Sequence, residues 1–180
     1  MTTSTHDLGH LERALADHDE PALTPEQYKQ VFRRHAAGVA VITLRDAGRP
    51  VGFTATSVIS VSAAPPLLAF SLASGSSSWP ALSRAATVAV SFLAEGQEDL
   101  STRFATSGID RFAAGGWTAL PTGEPVVDGA QAWVRARIVQ RTPVGDSYLV
   151  SLRALAHGVA DVGPLIYRDR VYHRLPTARG

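Results

Sequence analysis

The sequence predicts a mainly β fold, an antiparallel barrel carrying a few short helices. Three observations predict it. Runs of alternating apolar and polar residues recur along most of the chain, turns bearing glycine or proline separate them at short intervals, and no βαβ alternation appears. Roughly six or seven strand segments stand against about three or four helical ones, and closure into a barrel removes the unpaired edges that so many strands would expose.

The 180 residues suit one domain with a sizeable core, expected over residues 24–180. Residues 1–23 read as a polar arm whose large aliphatic side chains are Leu8, Leu11, Leu15 and Leu23. Hydrophobic residues at 45% and charged residues at 18% are a globular composition. With 17 basic and 16 acidic residues the formal charge is +1, too weak a field to hold a polyanion, so no nucleic-acid partner is expected. The absence of cysteine excludes disulfides, thiolate metal sites and cysteine nucleophiles, and is compatible with a reducing cytoplasm. The N-terminus lacks the apolar region of a secretory signal, and no apolar run approaches the ~20 residues that span a bilayer. A soluble, cytoplasmic protein with no membrane partner is expected.

Along the chain, Thr24-Pro25-Glu26-Gln27 signals a helix start: a hydroxyl cap, proline at the first helical position and glutamine three after the cap. Tyr28, Val31, Phe32 and His35 follow at helical spacing as one packed face, and Gly38 is expected to end the helix. Val39 to Leu44 is apolar on both faces and reads as a central strand. The turn from Asp46 to Pro50 leads into Val51–Ser62, where Val51, Phe53, Ala55, Ile59 and Val61 share one face and Thr54, Thr56, Ser60 and Ser62 the other. Pro65-Pro66 breaks this stretch before a strand over Leu67–Leu72. Ser78 is expected to cap a short helix opening at Trp79-Pro80. A strand over Val88–Leu93 and a helix over Glu95–Thr106 follow, the latter placing Leu100 and Phe104 on one side. Ala132–Arg141 alternates, with Val134, Ala136 and Ile138 inward and Arg135, Arg137 and Arg141 outward. Gly145-Asp146 turns the chain into Tyr148–Val159, and Ile166–His173 supplies a last short pairing.

The chain lacks a G-x-S-x-G elbow, a phosphate loop ending in Gly-Lys-Ser/Thr, and a G-x-G-x-x-G after a strand. Of the six histidines, His6 and His10 are spaced for one helix face, yet no acidic cluster completes a metal site there. What remains is a set of hydroxyls: Thr54, Thr56, Ser57, Ser60, Ser62 and Ser71, then the run Ser74-Gly75-Ser76-Ser77-Ser78. Hydroxyls and backbone N–H groups can hold a phosphate without formal charge. A serine-rich turn is by itself an ordinary loop more often than a binding site.

The hydroxyl stretches carry a resemblance. Gly52-Phe53-Thr54-Ala55-Thr56-Ser57, Ser60-Val61-Ser62, Pro65-Pro66-Leu67, Ser76-Ser77-Ser78-Trp79-Pro80, Asp110-Arg111-Phe112, Gly145-Asp146 and Pro164-Leu165-Ile166-Tyr167, in that order, resemble the flavin reductase domain family. So do Phe32-Arg33 and Gly38-Val39-Ala40-Val41-Ile42-Thr43, with Phe92-Leu93, Phe104-Ala105 and Gly129-Ala130 between. These are the small reductase components of two-component flavin monooxygenases. The resemblance implies a Greek-key split β-barrel of the FMN-binding type, FMN or FAD bound, NADH or NADPH as hydride donor, a homodimer, and a partner monooxygenase served by diffusible flavin.

The resemblance also implies site residues. Thr54, Ala55, Thr56 and Ser57 would face the polar edge of the flavin ring. Ser71, Ser76, Ser77 and Ser78 would hold its phosphate, with Phe104 and Arg111 closing the pocket. Asp146, Ser147, Tyr172 and His173 would contact the nicotinamide. No catalytic acid or base and no metal is implied. The chain departs from the family where Gly-Asp-His becomes Gly145-Asp146-Ser147, and where a common threonine becomes Ala37. A hydroxyl donates a hydrogen bond but neither carries charge nor stacks as imidazole does, so two other readings stay open: a tightly held flavin acting on a small molecule, and a non-catalytic flavin binder. Trp79, Trp117 and Trp133 are candidate core or interface anchors.

Overall fold

The computed structural model describes residues 21–175. Apart from Pro21, Ala22 and Leu23, the expected N-terminal arm, with His6, His10 and His18, lies outside the described residues. Helix α1 (Pro25–Arg34) begins as its sequence predicts. The Thr24 hydroxyl accepts from the Gln27 amide at 3.3 Å while the Gln27 side chain accepts from the Thr24 amide at 2.9 Å. The helix ends at His35, not at Gly38, because the chain passes directly into strand β1 (Ala37–Gly38). Its apolar face is also not packed: Tyr28, Val31 and Phe32 are 53%, 60% and 54% exposed. Helical spacing fixes which side chains share a face, not whether anything in the same chain covers it.

Strands β2 (Ala40–Asp46), β3 (Arg49–Ala55), β4 (Ile59–Ala63), β5 (Pro66–Ala73), β6 (Thr87–Phe92), β9 (Ala132–Val144) and β10 (Ser147–Val159) form one antiparallel sheet in the order β3-β2-β6-β9-β10-β5-β4. Between them lie α2 (Trp79–Arg84), α3 (Glu98–Ala105) and the small pair β7 (Trp117–Ala119) and β8 (Pro125–Val127). After β10, β11 (Ile166–Arg168) and β12 (Val171–His173) make a hairpin that pairs through β11 with β1. The β2–β3 hairpin turns on Ala47 and Gly48, both at positive φ, the left-handed pair a two-residue hairpin favours. Among the described residues no helix is long and apolar enough to cross a membrane.

The sheet curls until Phe53 on β3 meets Phe70 on β5, ring centroids 5.9 Å apart, although β3 is one edge strand and β5 lies beside the other. Ile42, Leu44, Val88, Val90, Val150 and Leu152 fill the interior. A second core, built from Val39, Val41, Leu93, Phe104, Phe112 and Leu165, covers the outer side of β2. Hence the run Val39–Leu44 is buried on both faces, as its unbroken apolar pattern predicts.

Two expectations fail for one kind of reason. Val51–Ser62 is not a continuous stretch with a single apolar face: Thr56–Val58 interrupts it, β3 and β4 lie at opposite ends of the strand order, and Ile59 and Val61 are each 55% exposed. Arg141 does not point outward. A bulge leaves Val139 unpaired between the Ile138–Leu152 and Gln140–Ser151 partners, and the extra residue inverts the alternation beyond it. The Arg141 guanidinium therefore reaches the end of α2 and donates to the carbonyls of Leu82 and Ala85.

Arg135 is likewise turned to protein, its Nε 3.0 Å from Oε1 of Glu124, which is 3% exposed. Burial alone would raise the Glu124 pKa, but hydrogen bonds from Arg135, Thr122 and Thr87 outweigh it and hold the value at about 2. A carboxylate depressed in the folded state contributes stability above its unfolded value, lost as pH falls toward the folded one. Urea midpoints should thus fall between pH 4.5 and about 2, and Glu124→Gln, less stable at neutral pH, should flatten that part of the profile.

Gly52 lies where the two cores meet. A Cβ there would stand 2.8 Å from Cε1 of Phe104, 3.0 Å from Cζ of Phe112 and 3.1 Å from the Ile42 carbonyl oxygen. Gly52→Ala should destabilise by about 1–3 kcal/mol through overpacking, read by thermal melting as a fall of several degrees.

Candidate functional site

The site begins at the strand break. Once the chain leaves β3 at Ala55, pairing with β2 stops, and among the described residues the amides of Thr56 and Ser57 donate to no other protein group. The Ser57 hydroxyl donates to the Ser71 carbonyl at 3.1 Å and accepts from the Ser71 amide at 3.0 Å. One side chain thereby satisfies both main-chain groups of a residue on β5, the role a paired strand would otherwise fill.

Thr56, Ser57 and Ser71 open on a cleft of about 680 Å³, within the size range of small-molecule sites. One wall is α1, through Tyr28, Lys29, Phe32, Arg33 and His35; another is the β11–β12 hairpin, through Tyr167 to Arg170. The two walls are tied by the Asp169 amide, which donates to the Arg33 carbonyl at 2.7 Å. Sequence reasoning assigned none of these wall residues to a site. A signal was present: Lys29 and Arg33 are four apart beside Tyr28 and Phe32 on a helix that opens the domain, and Arg168-Asp169-Arg170 sits at a hairpin tip.

Beyond Ser71, strand β5 leads to the serine turn. Ala73 pairs with Ser147, while the Ser74 amide and hydroxyl donate to the Asp146 carbonyl at 2.9 and 2.8 Å. Asp146 and Ser147 are thus brought against the turn. The Ser147 hydroxyl donates to its own neighbour, Oδ1 of Asp146, at 2.8 Å. Within the turn the Ser76 amide donates to the Ala73 carbonyl, and the Ser76 hydroxyl accepts from the Ser78 amide at 3.3 Å. Ser77 is exposed, and among the described residues its amide and hydroxyl bond no protein group. Trp79 stacks on Tyr148 with centroids 3.7 Å apart, fixing the turn on β10. The three tryptophans are all engaged within the chain: Trp117 packs edge-on to Phe112 and Trp133 covers Gly158.

Other predicted residues serve different ends. Ser78 is 2% exposed and does not cap α2; its hydroxyl accepts from Nη1 of Arg111 at 3.2 Å. Arg111 also donates to the carbonyls of Gly52 and Thr106, at 2.6 and 2.8 Å, and burial lowers its pKa below the usual arginine value. Phe104 is 1% exposed, edge-on to Phe112 at 5.0 Å. Neither Phe104 nor Arg111 lines the cleft; both support β3 from behind. Ala55 is buried at the end of β3. Thr54 and Tyr172 converge on buried Ser101, which sequence reasoning did not single out: the Thr54 hydroxyl donates to its carbonyl at 2.6 Å and the Tyr172 hydroxyl to its Oγ at 2.9 Å. His173 is exposed, with Nε2 3.3 Å from the Arg168 carbonyl oxygen.

The donor set is neutral where it faces the cleft floor and hydroxyl-rich at the turn. A polar-edged planar ring requires uncharged amides along one side, and a terminal phosphate suits the open serine turn. The residues fit a flavin on both counts.

Comparison with known proteins bears on the same ground. Residues 32–176 match the family described as flavin reductase like domain. The chain belongs to that family. It is 43% identical over 178 residues to an NADH:FMN oxidoreductase of Rhodococcus erythropolis, covering 91% of this chain and 92% of that one. An NADH:FAD oxidoreductase of Streptomyces globisporus, solved with NAD and FAD fragments, superposes with a TM-score of 0.83 at 25% identity, covering 89% of this chain and 100% of that one. Component B of a nitrilotriacetate monooxygenase from Mycobacterium thermoresistibile superposes at 0.81 with 26% identity, over 86% and 88% of the two chains. As a flavin reductase family member, the protein shares their split β-barrel.

Because Arg111 bonds three protein oxygens, Arg111→Met should leave partly buried acceptors unpaired. A stability loss of about 2 kcal/mol or more is expected in urea titration.

Proposed function

We propose that this protein is an NAD(P)H:flavin oxidoreductase that reduces FMN or FAD and delivers the product to a separate monooxygenase. The observation that carries the reading is the strand break, where the amides of Thr56 and Ser57 stand unpaired beside Ser71 and open onto the cleft. Family membership, the NADH:FMN oxidoreductase relative and the monooxygenase component support it independently.

In this reading Thr56, Ser57 and Ser71 meet the polar edge of the flavin, and Ser76 and Ser77 receive its phosphate. Thr54, Ala55, Ser78, Phe104 and Arg111 hold those groups in place from behind. When both are bound, the flavin accepts a hydride that the nicotinamide gives up. The chain's own part is alignment and exclusion of water, which needs no acid or base of its own. Asp146, Ser147, Tyr172 and His173 border the donor's approach, with the Ser147 hydroxyl, held by Asp146, standing where relatives carry imidazole.

The working unit is a homodimer of the domain at residues 24–180, acting in the cytoplasm, where reduced nicotinamide is available. Val31 and Val61, large apolar side chains more than half exposed and outside the cleft, favour a second copy over a monomer.

Mixing the purified protein with NADH or NADPH and free FMN or FAD should give a flavin-dependent loss of 340 nm absorbance. Absence of such a rate with every pairing overturns the reading. Flavin retained through dialysis would favour a bound prosthetic group over a diffusible substrate.

A further inference from the structure

We propose that residues 5–18, which lie outside the described residues, dock as an antiparallel helix on the aromatic face of α1 in the same chain. The face needs a cover. Helix α1 is ten residues long and none of them is buried. Among the described residues, the hydrogen bond that joins it to another element is the one from the Asp169 amide to the Arg33 carbonyl. Tyr28, Phe32 and His35 nevertheless form a continuous line of rings, with successive centroids 4.5 and 6.3 Å apart. Tyr28 and Phe32 are each more than half exposed. A helix with no packed face needs roughly 12–15 residues to be even marginal in water, and α1 falls short of that.

The chain just before α1 has the matching pattern. Leu8, Leu11 and Leu15 are spaced three and then four apart, whereas Tyr28, Phe32 and His35 are spaced four and then three. The two sets mirror one another about residues 21 and 22. Two antiparallel helices with that spacing meet rung by rung: Leu15 on Tyr28, Leu11 on Phe32 and Leu8 on His35. Ser4-Thr5-His6-Asp7, directly ahead of the leucines, is a capping-box signature for the start of such a helix. Pro21 disfavours helical backbone at Glu20 and so marks its end. Residues 19–23 then leave a five-residue link before the Thr24 cap, within the length of helical-hairpin loops.

Charge agrees with this docking. Residues 1–20 carry Asp7, Glu12, Asp17, Asp19 and Glu20 against Arg13 alone, whereas α1 carries Lys29, Arg33 and Arg34 against Glu26. At about 100° per residue, Glu12 falls on the side of Lys29 and Arg33, and Asp7 on the side of Arg34. So short a link holds the segment at high effective concentration beside its own α1, which favours it over the same segment of a second copy. Tyr28 and Phe32 line the cleft and Val31 does not. The docked segment therefore adds a rim to the cleft and leaves Val31 to the contact between subunits.

The full chain has no cysteine, so introduced thiols report without background. Leu15→Cys with Tyr28→Cys keeps the other two rungs, while Arg13→Cys with Tyr28→Cys places the first thiol on the far side of the segment. Under mild oxidation the Leu15 pair should form a disulfide within one chain about tenfold or more faster than the Arg13 pair. Equal rates, or a disulfide that joins two chains, overturns the proposal. Hydrogen exchange read by mass spectrometry needs no thiol. Leu11→Asp with Leu15→Asp should speed exchange of the α1 amides by about tenfold or more and leave those of Val39–Leu44 unchanged. Unchanged exchange in α1 overturns the proposal as well. If circular dichroism shows that the thiol variants do not fold, the exchange result decides.

Discussion

The bond pair between the Ser57 side chain and the Ser71 main chain is the constraint on which the site depends. A curled sheet must bring its two ends together, and here the backbone does not complete the closure. The chain runs off β3 at Ala55 and crosses through Thr56–Val58 to become β4. One serine hydroxyl, giving and receiving a hydrogen bond at 3.1 and 3.0 Å, ties that crossing to β5. Because a side chain rather than a strand makes the join, the main-chain amides of the crossing stay free of the ladder. A fully paired strand would have no donors left to offer.

Free donors are useful only if they do not move, and the surroundings of the break hold them. Arg111 reaches from its loop to the Gly52 carbonyl and the Ser78 hydroxyl, linking β3 to the serine turn by one planar group. Ser101 gathers Thr54 and Tyr172 onto α3, linking β3 to the C-terminal hairpin. The stacked Trp79–Tyr148 pair holds the far end of the turn. None of Arg111, Ser101, Trp79 and Tyr148 lines the cleft. For a reaction in which the protein contributes geometry and no proton, such rigidity is most of what the fold can supply.

The parts legible in the sequence were those governed by local rules. The Thr24–Gln27 capping box and the doubly buried strand from Val39 follow from neighbours within a few residues. What failed involved one residue too many or a partner too far away. The Thr56–Val58 break and the Val139 bulge each displace an alternation that looks unbroken in one dimension, and so Ile59, Val61 and Arg141 were put on the wrong side. Phe104 and Arg111 belonged to the right neighbourhood, but a motif does not say which face of a strand its residues support. The arginines of the cleft come from segments more than 130 residues apart, Arg33 and Arg168. The pairing of β1 with β11 and the Asp169 amide bond to the Arg33 carbonyl make them neighbours.

In the proposed reading, the lack of charge at the cleft floor follows from what the flavin must do. A reduced flavin destined for another enzyme has to leave, so strong fixed charges at its ring would retain the product and slow each turnover. In the proposed reading the groups that meet the ring are hydroxyls and amides, whose hydrogen bonds exchange readily with those of water. The cations of the cleft, Lys29, Arg33, Arg168 and Arg170, stand on other elements, α1 and the β11–β12 hairpin. In that reading an uncharged cleft floor serves release, because a donor set of hydroxyls and amides orients the ring without holding the reduced product by charge.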